Sequence, residues 1–129
     1  FLDYHQQQGT RDFSAFCCIP AAIEFMKEHK WEEVAAHCRQ LVLSNAMRFC
    51  NLLDAEPLLP LDDFFVRQLF SIPIRTSEPE KLKARLFDEF KIEIPVMRHG
   101  DRVFIRYSIQ AFNSQADLDR LAEALKKLH

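Results

Sequence analysis

Arg106 is the residue whose type and placement point most directly to chemistry. It lies within Arg102 to Gln110, where Val103, Ile105, Tyr107 and Ile109 alternate with Arg102, Phe104, Arg106, Ser108 and Gln110. A period of two is the signature of a strand with one buried face. The apolar set must pack, so the second set faces away from the core. A guanidinium in the middle of a sheet face is costly unless it reaches water or a carboxylate. Two readings stand side by side. In one, Arg106 meets solvent or a surface acid. In the other, the face lines a cleft and the guanidinium forks onto a ligand carboxylate. Periodicity does not choose between them.

Other routes to chemistry are thin. The four cysteines are Cys17, Cys18, Cys38 and Cys50, and no C-x-x-C spacing occurs. Adjacent Cys17 and Cys18 do not easily bridge each other. All four lie on apolar-rich stretches with a helical pattern, so buried, reduced thiols and a cytoplasmic location are expected. The five histidines are scattered at 5, 29, 37, 99 and 129, with no metal-ligand spacing. Gly9 and Gly100 are the only glycines, too few for a Walker loop or a dinucleotide fingerprint. A net charge of −2 supplies no strong field for nucleic acid or an anionic membrane. No apolar run is long enough to span a membrane; Ala15 to Ile23 is broken by Pro20. Residues 1–9 lack the basic-then-apolar order of a signal peptide.

The elements that would position Arg106 can be read in outline. The 129 residues, 48% apolar and 28% charged, suit one globular domain with its own core. Residues 1–12 read as an extended lead-in segment, 13–54 as a helical linker region and 55–129 as a small α/β domain. A helix is expected over Phe13 to His29, with Pro20 kinking it or marking the first turn of its main part. A longer one follows over Trp31 to Leu53. Pro57 and Pro60 break the chain, and Asp54 to Asp63 is a connector. Phe64 to Ile74 reads as a strand with Pro73 at a sheet edge. Ser77, Pro79 and Glu80 form a helix start, with Ser77 as cap, and Leu82, Leu86 and Phe90 make one face. Ile92 to Val96 reads as a short strand and Met97 to Asp101 as a turn. Ser114 and Asp117 open a last helix, buried along Leu118, Leu121, Ala122, Leu125 and Leu128. The expected fold is α+β: a small antiparallel sheet backed by helices on one face and preceded by long helices.

Four separated segments carry a family resemblance. They are Gln8-Gly9-Thr10-Arg11-Asp12, Ile19-Pro20-Ala21-Ala22-Ile23-Glu24-Phe25, Leu86 to Val96, and Arg106-Tyr107-Ser108-Ile109-Gln110-Ala111-Phe112-Asn113-Ser114. In this order they resemble the C-terminal part of the class V aminotransferase family, in its epimerase-like branch. Those are fold-type-I enzymes dependent on pyridoxal phosphate (PLP). The resemblance implies that Gly9 and Thr10 reach the cofactor phosphate of a neighbouring subunit in a homodimer. It implies that Arg106 holds the α-carboxylate of an amino acid or related amine. Asn113-Ser114 then becomes mainly a helix cap. Phe112 stands where the family often has Tyr, so a hydroxyl role is lost there. Pro95 to Asp101 holds no cysteine, which disfavours desulfurase chemistry.

The same resemblance implies a missing part. The PLP-binding large domain, with the Schiff-base lysine, would precede Gly9. Lys27, Lys30, Lys81, Lys83, Lys91, Lys126 and Lys127 match none of the family's lysine context. The chain is thus expected to be inactive alone, to bind no PLP by itself and to expose an apolar surface including Phe1, Leu2, Phe13 and Phe16 that drives self-association. The rival class is a non-enzymatic α+β module binding protein or nucleic acid, with Phe104, Arg106 and Tyr4 as a stacking surface. The small Arg102–Arg106 patch and the net charge of −2 argue against nucleic acid.

Overall fold

The computed structural model describes residues 9, 10 and 12–128. The chain divides into two compact units, residues 1–32 and 33–129.

The first unit contains α1, Ser14–Cys17, and α2, Ile19–Glu28. The Asp12 carboxylate accepts from the Ser14 amide at 2.8 Å and from its hydroxyl at 2.7 Å, and these bonds hold the acid below the usual carboxylate range. The single expected helix is interrupted at Cys18, and Pro20 falls in the first turn of α2, where its missing N–H costs nothing. Neither helix buries a residue. Cys17 and Cys18 are therefore exposed, against the expectation of four buried thiols, because an apolar helix stretch hides a side chain only where something packs on it. Phe13 and Phe16 are exposed as expected, while Phe1, Leu2 and Tyr4 lie outside the described residues.

The second unit begins within α3, Trp31–Leu52. Cys38, Val42, Asn45, Ala46 and Phe49 recur at helical spacing and are buried. Among the described residues Asn45 is the buried polar side chain of the core, and it is satisfied. Its amide donates to Gln115 Oε1 at 2.8 Å, and Gln115 Nε2 donates back to Asn45 Oδ1 at 3.0 Å. This reciprocal pair ties α3 to the start of the last helix.

Three antiparallel strands form the sheet, in the order β1 (Leu69–Ile74), β3 (Arg102–Ser108), β2 (Val96–His99). Two strand boundaries differ from the sequence expectation. Phe64 to Gln68 is not strand, because the Asp62 carboxylate accepts from the Phe64 and Phe65 amides and its carbonyl accepts from the Val66 amide, closing a turn. Ile92 to Pro95 is irregular, and the strand lies instead over Val96–His99, which had read partly as turn. Only Gly100 and Asp101 remain as a two-residue hairpin loop, and Gly100 takes the φ of +58° that such a loop asks of its first position. Pro73 sits on the edge strand β1, where no ladder amide is lost.

The helix α4, Pro79–Phe90, starts without a Ser77 cap; Thr76 Oγ1 accepts from the Glu78 amide at 3.1 Å instead. It ends at Lys91, φ +58°, where the Ile92 amide donates back to the Leu86 carbonyl at 2.9 Å. The helix α5, Gln115–Leu128, opens as expected, with the Ser114 amide donating to Asp117 Oδ2 at 2.8 Å.

One face of the sheet carries the core. Phe70, Ile72, Ile74, Val96, Val103, Ile105 and Tyr107 point to the helices and are buried with Phe49, Leu86 and Leu125. The Tyr107 hydroxyl donates to the Val42 carbonyl at 3.0 Å, and its ring centroid lies 5.1 Å from that of Phe49. The opposite face of β1 and β3 buries nothing completely. The architecture is the expected one, α+β with a small antiparallel sheet backed by helices on one face.

Candidate functional site

The open face of the sheet can be mapped from strand register. Arg106 pairs with Ser71 of β1, Phe104 with Pro73 of β1 and Met97 of β2, and Arg102 with His99. Past the end of β2 the ladder continues by one bond, the Arg106 amide donating to the Pro95 carbonyl at 3.1 Å. Arg106 thus stands mid-strand with backbone neighbours on both sides. Its peptide is fixed, so the side chain leaves the sheet in a defined direction.

The Arg106 side chain is half-buried, and its Nε–H is buried with no hydrogen-bond partner. A guanidinium is a planar fork of donors whose charge persists at any relevant pH. Leaving one of those donors dry and unpaired costs free energy. Several arginines of this unit are matched: Arg39 with Asp63, Arg48 with Asp119, Arg75 with Asp54 and Arg85 with Glu89. Among the described residues no carboxylate pairs with Arg106. The face itself holds none, since its positions are Leu69, Ser71, Pro73, Met97 and His99 beside the β3 set. The surface-acid reading of Arg106 is not what the geometry supplies.

Phe104 is half-buried beside Arg106, and the Arg102 guanidinium lies over its ring at 5.1 Å from the centroid. At the far end of β3 the chain turns back. Asn113 Oδ1 accepts from the Gln110 amide at 2.9 Å, and the Asn113 amide donates to the Gln110 carbonyl at 2.9 Å. Asn113 therefore braces the turn, and the capping falls to Ser114 with Asp117. Phe112, on the same turn, is 85% exposed.

Gly9 and Thr10 belong to the first unit and are both exposed. Gly9 has φ +66°, a conformation that β-carbon-bearing residues avoid, while a Cβ there would meet nothing within 4 Å. The glycine is needed for backbone shape and not for room. Arg11 lies outside the described residues. Sequence reasoning reached Arg106, Phe104 and Arg102 but not Ser71, Met97 or the Pro95 carbonyl. Those depend on register, which the alternation of Phe70, Ile72 and Ile74 would have supplied for β1 alone. Among the described residues no His, Cys, Asp and Glu gather in a group suited to a metal ion, and no helix is long and apolar enough to cross a membrane.

No protein-family model matches the chain. It is 30% identical over 123 residues to isopenicillin N epimerase from Amycolatopsis lactamdurans, an alignment that takes in 94% of this chain and 31% of that protein. Its fold is similar to that of 8-amino-7-oxononanoate synthase from Francisella tularensis, with a TM-score of 0.62, 22% identity, and coverage of 84% of this chain and 31% of that one. The chain thus spans under a third of the length of each protein. Its helix-backed sheet is a fold found within a larger enzyme, and its sequence is similar to part of an epimerase.

Proposed function

We propose that this chain is the C-terminal small-domain portion of a PLP-dependent enzyme of the class V aminotransferase type, epimerase-like, acting on an amino acid or related amine. The observation that carries the reading is Arg106: a half-buried guanidinium on an acid-free face, its Nε–H dry and unpartnered, at the position where the family resemblance puts the carboxylate-binding arginine. The similarity to isopenicillin N epimerase across 94% of the chain supports it.

In this reading Arg106 supplies the fork that takes the substrate α-carboxylate and fixes how its Cα is presented. The Pro95 carbonyl and Ser71 keep the strand beneath it in place. PLP, when bound, supplies the electron sink for a bond broken at Cα. Gly9 and Thr10 fit a contribution to its phosphate: a backbone N–H and a hydroxyl, both exposed, on a backbone shaped by φ +66°. They would act across the interface of a homodimer. The lysine that must hold the cofactor is not supplied here. Every lysine is exposed, and Lys27, Lys81 and Lys126 are paired with Glu24, Glu78 and Glu123. None lies in a buried apolar pocket of the kind that shelters a Schiff-base lysine.

Two linked experiments test this. The reading frame upstream of the Gly9 codon should encode a lysine-bearing domain; an unrelated domain there would overturn the assignment. The chain mixed with PLP and reduced with borohydride should show no single preferentially labelled lysine by peptide mass mapping. Specific labelling of one lysine would overturn the expectation that the chain binds no PLP by itself.

A further inference from the structure

We draw no further inference here: the strongest candidate, the exposed apolar face of α2 formed by Ile19, Ile23 and Met26, carries nothing because nothing in the structure shows what covers it.

Discussion

Strand β3 has two faces built by the same seven residues, and they follow opposite rules. On one, Val103, Ile105 and Tyr107 are closed over by helices, and the one polar group, the Tyr107 hydroxyl, is satisfied by the Val42 carbonyl. On the other, Arg102, Phe104 and Arg106 are left partly open, and the most buried polar group, Arg106 Nε–H, has no partner. Folding explains the first face completely: apolar area is removed from water and each dry dipole is matched. It does not explain the second. A group that a fold leaves unmatched at some cost is the one to examine for ligand binding, and here it is the Arg106 guanidinium beside the Phe104 ring.

Breaking the closed face should have the largest effect. Leu121→Ala, in α5 beneath the sheet, should cost about 2–5 kcal/mol in denaturant unfolding, since Leu121 is 5% exposed and its loss leaves a cavity. Tyr107→Phe keeps the ring against Phe49 and removes only the hydroxyl; about 1 kcal/mol is expected in the same measurement.

The pH dependence of that face sharpens the contrast. Burial pushes the Tyr107 hydroxyl above its ordinary value, and the Cys50 thiol is raised by burial and then by Glu56. Both groups fold in their neutral forms. Their contribution is therefore full at neutral pH and is lost as pH rises past the unfolded values, from about 8.5 for the thiol and about 10 for the phenol. Unfolding midpoints measured toward alkaline pH should fall in the parent chain. In Tyr107→Phe the decline above about pH 10 should be shallower, with the earlier part remaining.

The open face should show the smallest effect. Arg106→Gln should change stability by no more than about 0.5 kcal/mol, because no ion pair is broken and a dry unpaired donor is removed. A loss comparable with that of Leu121→Ala would make the guanidinium a structural member and erase the contrast between the two faces.

The sequence made β3 legible because its alternation is strict and its length covers the sheet. The long α3 and the stripe of α5 were legible for the same reason at helical period. What was hidden lay in side chains acting on backbone. Asp62 intercepts three amides that would otherwise extend β1, two through its carboxylate and one through its carbonyl. Thr76 serves the start of α4 where Ser77 had been expected. The polar run Met97-Arg98-His99 resembles a turn by composition, yet becomes strand because β3 offers it a partner. Cys17 and Cys18 show the converse limit: an apolar pattern tells which residues would be buried if a partner is present, not whether one is. For the site, the type and face of Arg106 were readable in advance, whereas the absence of an acid across from it was a matter of register.

The central claim is that Arg106 is held open for a carboxylate. The most direct measurement is a titration of the chain with L-alanine, following the Arg106 Nε–H resonance and, as an internal control, that of Arg98. A saturable shift of Arg106 with Arg98 unmoved, abolished by Arg106→Gln, is the predicted result. An Arg106 resonance that stays still, or drifts in step with Arg98, would contradict the account.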